Sequence, residues 1–252
     1  MKTAYILIIC FIISAIGCRK TFNPYSNNPG NPDYFYNRPV GASANELLSD
    51  SKYKSLKIEI QYMTGYEPSA TSISHLQNFL SALLNKPSGI SIITNEIPAS
   101  ASSVLSIDQV IGVERANRTV FTIGDQIGVY LLITNGNFTD NNVLGAAYRN
   151  SSMVLFGKNI KDNSGNIGQP SRTKLESTVL EHEVGHILGL VDLGSAMQVN
   201  HKDVSHGNHC NNNNCLMYYS SDTRDILGVL ITGNIPSFDS NCLADLRANG
   251  GK

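Results

Sequence analysis

Charge, a basic excess and a long apolar run are all scarce in this 252-residue sequence. Only 15% of residues are charged and the formal net charge is −1. Nothing here makes an electropositive footprint, so nucleic acid is not expected as a partner. The greasy stretch at residues 4–16 is broken only by Ser14; it falls short of the roughly 20 residues a spanning helix needs. There is no internal repeat. No glutamate follows Glu183, which removes one common source of a downstream metal ligand. Beyond residue 18 the cysteines are Cys210, Cys215 and Cys242, an odd number that allows at most one disulfide within the chain.

The short apolar run has a meaning of its own. Met1-Lys2 precede it and small residues lead to Cys18, so residues 1–17 read as a secretory signal peptide. Residues 15–18, Ala-Ile-Gly-Cys, resemble a bacterial lipobox, without its usual leucine. The resemblance implies cleavage after Gly17 and lipidation of Cys18. The expected product is an outer-membrane lipoprotein facing the periplasm or the cell exterior, held to the membrane by its N-terminal lipid. Residues 18–52 carry Asn23-Pro24, Asn28-Pro29 and Asn31-Pro32 in a polar stretch with no apolar period. They are expected to form a lipid-anchored tether, with Tyr34, Phe35 and Tyr36 part of an irregular linker.

Residues 53–252 suit one domain. Residues 56–63 alternate apolar and polar, as a half-buried strand does. Residues 71–84 carry a helical stripe of Ile73, Leu76, Phe79, Leu80, Leu83 and Leu84, ended by Pro87 and Gly89. A second strand is expected at 90–97 and a short helix from Ser106 towards Arg115. The nearly continuous apolar run 127–133 fits a strand covered on both faces. Strands at 143–148 and 153–156, a Gly/Asn loop at 161–170 and a last helix at 238–248 complete the order. The prediction is an α+β fold: a mixed, mostly parallel sheet with helices on one side.

The chain is organised around residues 182–186, His-Glu-Val-Gly-His. A helix starting near Ser171 carries them, and Gly189 is a natural stop. Histidines four apart share one helix face, so His182 and His186 can reach a single ion. Glu183 projects to the same side, where it can take a proton from water at that ion. Five of the six histidines (His182, His186, His201, His206, His209) fall within 28 residues, a clustering that packing alone does not explain. A catalytic zinc takes three protein ligands and keeps one open position, so the third ligand decides the class. A glutamate on a later helix, the gluzincin arrangement, is excluded.

With Gly189 and Asp192 the motif reads H-E-x-x-H-x-x-G-x-x-D and resembles the metzincins, zinc endopeptidases with a methionine-containing turn under the metal. Aspartate at the last place looks like the snapalysin variant. This resemblance puts the turn at residues 215–219, with Met217 beneath the metal and Tyr219 at the place of a tyrosine used near it. A second string, His209-Cys210-x4-Cys215-x-Met217, is similar to that of archaemetzincins. There the histidine is the third zinc ligand, and the two cysteines hold a second zinc together with a later Cys-x-x-Cys. Here seventeen extra residues, 192–208, intervene, and of the later pair only Cys242 is present.

The resemblance therefore implies a metzincin-like domain with an active-site helix, Met-turn and C-terminal helix. It implies Zn2+ on His182, His186 and His209, with Asp192 the alternative third ligand, and Glu183 and Tyr219 as catalytic residues. Cys210 and Cys215, in an exported protein, are expected to pair as a disulfide. His201, Asp203 and His206 are expected as solvated loop residues, a second ion being the alternative. The implied activity is zinc-dependent hydrolysis of peptide bonds in a peptide or protein substrate, by a monomer. The competing reading is a surface-anchored binding protein on a protease scaffold, with its zinc structural.

Overall fold

A computed structural model describes residues 32–252. The signal peptide, Cys18 and the first part of the tether lie outside the described residues. In chain order the elements begin with α1 (Ala44–Leu48), β1 (Ser55–Met63), α2 (Ala70–Leu83), β2 (Ile90–Ile97), β3 (Val104–Leu105), α3 (Ile107–Asn117) and β4 (Gln126–Ile133). They continue with β5 (Asn137–Phe138), β6 (Gly145–Arg149), β7 (Ser152–Leu155), α4 (Gly157–Asp162), α5 (Arg172–Ile187), α6 (Leu227–Thr232) and α7 (Ser240–Ala248).

The apolar run of β4 explains its place. Every residue from Ile127 to Ile133 is buried, and the strand lies in the middle of a five-stranded sheet ordered β2-β1-β4-β7-β6. Branched apolar residues without alternation fit a strand covered on both sides. Parallel pairing sets Leu131 opposite Ile60 of β1 and Met153 of β7. β6 alone runs antiparallel, closing one edge against β7.

On one face Ile127, Val129, Leu131 and Ile133 join the main core with Leu76 and Leu80 of α2 and Leu175, Val179 and Val184 of α5. On the other, Tyr130 and Leu132 pack with Val110 of α3 and with Val154 and Phe156. The expectation of helices on one side alone is corrected here. Two large residues of β4 need cover on the second face, and α3 supplies it. α3 opens with a capping box: the Ser106 hydroxyl accepts from the Gln109 backbone and the Gln109 side chain accepts from the Ser106 N–H.

The folded body also starts earlier than residue 53. Tyr36 is buried, its hydroxyl donates to the Thr122 carbonyl at 2.8 Å, and its ring meets Phe121 edge-on. Leu47 and Leu48 of α1 lie in the main core. The buried Asn150 side chain clamps this segment, accepting from the Arg38 N–H and donating to the Phe35 carbonyl. The tether boundary at 52 is thus corrected: aromatic and leucine anchors within a polar composition are enough to dock residues 36–52. Among the described residues no helix is long and apolar enough to cross a membrane.

Candidate metal centre

α5 forms because Ser171 caps it, its hydroxyl accepting from the Lys174 N–H. It is no ordinary amphipathic helix: every residue from Leu175 to Ile187 is buried. The polar triplet His182, Glu183 and His186 therefore faces the interior. The helix stops where Gly189 takes φ +81° and the chain folds back. A Cβ there would sit 2.6 Å from the Ser195 nitrogen. Gly185, between the two histidines, is required for another reason. A Cβ on it would lie 2.3 Å from the Met217 sulfur and 3.1 Å from the Phe238 ring. The helix and the turn carrying buried Met217 touch at this glycine.

Backbone carbonyls fix the direction of two imidazoles. His182 Nδ1–H donates to the Leu216 carbonyl at 2.7 Å, and His209 Nδ1–H donates to the His206 carbonyl at 2.6 Å. Each neutral ring then presents an Nε2 lone pair. Both Nε2 atoms, together with His186 Nδ1, are buried without a partner. The three rings stand 4.7 to 5.2 Å apart between centroids. Glu183 Oε1 is likewise buried and unpartnered, while its carboxylate accepts the Ala147 N–H of β6. Asp222, at the end of a short 3-10 turn, completes the group: its Oδ2 is 3.8 Å from His209 Nε2 and 4.0 Å from His182 Nε2.

Burial holds the His182 and His186 rings below the usual imidazole range, and the other rings of the site add to this. Burial, and then the Asp222 charge, push the Glu183 carboxyl well above its ordinary value. Neutral imidazoles and ionised carboxylates are all acceptors and cannot satisfy one another. A cation resolves this conflict, and neutral histidine is the form that binds one. The four side chains offer one ligand atom each within 4.8 Å of one another.

Not every expected residue joins them. Asp192 is exposed, in a left-handed conformation (φ +71°), and pairs with Lys202 at 2.9 Å. The chain turns away from the metal helix at Val191 and Asp192, and this carries the carboxylate outward. Tyr219 lies flat on His206, with ring centroids 3.7 Å apart, and also contacts Tyr218; its ring contacts are not with the three histidines. His206 in turn bonds Asp203 at 2.6 Å in the exposed loop.

The expected Cys210–Cys215 disulfide is corrected as well. All three described cysteines are free and buried. They gather with His201, which the extra loop delivers to them. His201 Nδ1 is 3.3 Å from Cys210 Sγ and 4.0 Å from Cys242 Sγ, and Cys215 Sγ is 3.6 Å from Cys242 Sγ. A tetrahedral zinc would set sulfur–sulfur spacings of about 3.8 Å and sulfur–nitrogen spacings of about 3.6 Å, and these three spacings lie within about 0.4 Å of those values. Asp239 also lies within reach, but its carboxylate already caps α7, accepting from the Cys242 N–H. His201 Nε2 bonds buried Asp245 at 2.8 Å, the outer carboxylate that orients a metal-binding histidine. The Cys215 sulfur accepts the Met217 and Asp239 N–H groups.

The helix, the converging histidines, the glutamate and the turn that carries Met217 stand together on a mostly parallel sheet. Archaemetzincin from Methanopyrus kandleri superposes with a TM-score of 0.50 at 17% identity, over 78% of this chain and 96% of that one. The chain thus has the archaemetzincin-like zincin fold. No protein-family model matches the sequence, and no curated protein matches it.

Sequence reasoning missed Asp222, His201 and Cys242 as members of clusters. Asp222 carries no motif. His201 and Cys242 stand 41 residues apart, and only the fold brings them together.

Proposed function

We propose that this protein is a zinc-dependent endopeptidase, an exported lipoprotein anchored to the membrane through Cys18. One observation carries the reading: the His182, His186 and His209 rings converge, each with a buried nitrogen that lacks a hydrogen-bond partner, beside a Glu183 Oε1 that lacks one too. His182, His186 and His209 would hold the ion. Zinc there supplies Lewis-acid polarisation of a carbonyl and acidifies water. Glu183 takes the proton of the attacking water and returns it to the leaving amine; burial, by raising its proton affinity, suits it to both steps. Tyr219 is assigned the hydrogen bond to the developing oxyanion, a role that requires it to leave its stack on His206. β6 is the outer strand of the sheet and touches Glu183 through Ala147. An extended peptide can pair with such an edge. A second zinc on His201, Cys210, Cys215 and Cys242 is structural, since four protein ligands close it to substrate.

Cleavage of a mixed quenched-fluorescence peptide library by the zinc-loaded chain, beside its Glu183→Ala variant, tests this. The expected loss is at least ~100-fold, the lower end for a general acid–base. Silence from both proteins with the ion bound would favour a binding protein on a protease scaffold. Anchoring is read from the membrane fraction: Cys18→Ala should release the protein into the soluble one.

A further inference from the structure

We propose that Asp222 is a fourth protein ligand of the metal held by His182, His186 and His209, so that the resting centre is closed by a carboxylate that substrate or water must displace. The proposal rests on the metal reading of that site.

Its first ground is what Asp222 lacks. The ion-pair partners of its carboxylate are the rings of His182 and His209, and its Oδ1 is buried without a hydrogen-bond partner. The side chain is only 18% exposed, so water does little of this work. An anion placed in such a setting needs a positive group.

The second ground is what it faces. The Nδ1–H groups of His182 and His209 are already spent on the carbonyls of Leu216 and His206. In the neutral form of each ring, the nitrogen turned to Asp222 is then a lone pair and not a donor. Carboxylate oxygen against imidazole lone pair is a repulsive contact unless a cation lies between them.

The third ground is how firmly the residue is held. The Asp222 carbonyl accepts the Leu144 N–H at 2.7 Å, Thr223 bridges Val143, and the Arg224 N–H donates to the Asn142 carbonyl. Residues 142–144, just before the edge strand β6, thus pin the backbone at residues 222–224.

The oxygen–nitrogen spacings of 3.8 and 4.0 Å exceed by about half an ångström the roughly 3.4 Å between two ligands of a tetrahedral zinc. A small turn of the side chain closes that gap, and the same turn reverses it. Such reach suits a ligand that comes and goes while the three histidines stay. With Asp222 bound, no position remains for water in a four-coordinate ion. With Asp222 swung out, the open position of a catalytic site is restored.

The test uses the full chain loaded with 113Cd, in wild type, Asp222→Asn and Asp222→Ala forms. Cadmium resonates in widely separated regions on nitrogen–oxygen and on thiolate ligands, so the two centres are read apart. The thiolate signal, unchanged, shows that the variants fold. If Asp222 is a ligand, the nitrogen–oxygen resonance moves in both variants, and competition with a chelator shows metal affinity at that site reduced at least tenfold. An unmoved resonance overturns the proposal, even where affinity falls, because a nearby charge alone would then explain the fall. Absence of any nitrogen–oxygen resonance in the wild type would instead refute the metal reading of the site and this proposal with it.

Discussion

Gly185→Ala tests the contact between the metal helix and the methionine turn. In an exposed helix this change stabilises by about 1 kcal/mol. Here the new methyl would meet the Met217 sulfur at 2.3 Å and the Phe238 ring at 3.1 Å, against an ordinary carbon contact of about 3.5–4.0 Å. The sulfur must retreat by more than an ångström within a packed core, a form of overpacking that costs about 1–3 kcal/mol. The net expectation is a loss of ~0–2 kcal/mol. A second background isolates the cause. Met217→Ala removes the sulfur and by itself costs about 2–5 kcal/mol through the cavity it leaves. In that background Gly185→Ala should stabilise, by up to ~1 kcal/mol. The four proteins, unfolded in urea with metal present throughout, should show a coupling of about 1–3 kcal/mol. Equal effects of Gly185→Ala in both backgrounds would refute the packing argument.

Two further predictions follow from the site. Asp192→Asn, which removes the carboxylate paired with exposed Lys202, should leave metal content and peptide cleavage within twofold of wild type; loss of metal would return Asp192 to the ligand set. His201→Ala should release about one metal equivalent by elemental analysis. It should also lower the thermal midpoint, by about 2–4 °C for each kcal/mol of lost binding in a domain of this size. Retention of two equivalents would argue against the histidine–cysteine centre.

Much of this architecture could be read directly from residues. β2 falls at 90–97 as expected, and α5 begins at the serine that its cap required. His209 stood out through its register to Cys210, Cys215 and Met217, and the structure brings its ring to 5.2 Å from those of both helix histidines despite the inserted loop. Other features left no local trace. Helix α1 is only five residues long, too short for a period to show, and its leucines sit in a stretch whose Asn-Pro pairs spoke for a linker. α6 follows a turn without a strong cap: no side chain caps it. The histidine–cysteine cluster draws its atoms from the inserted loop, the Met-turn and α7. No spacing rule covers three segments whose meeting is decided by the sheet beneath them. Asp222 had no partner to announce it, because its partners are the histidines themselves.

His209 and Cys210 are neighbours in the chain, yet one faces the histidine centre and the other the cysteine centre. A single peptide unit spans the two. Its freedom is slight, since the Cys210 N–H is bound to the Met217 carbonyl at 2.7 Å. The placing of the imidazole and the placing of the thiol are therefore linked through one short stretch of backbone. On the proposed function, a thiol oxidant or a soft heavy metal that seizes the cysteines should lower peptide cleavage, as a chelator should, by shifting the backbone that carries His209.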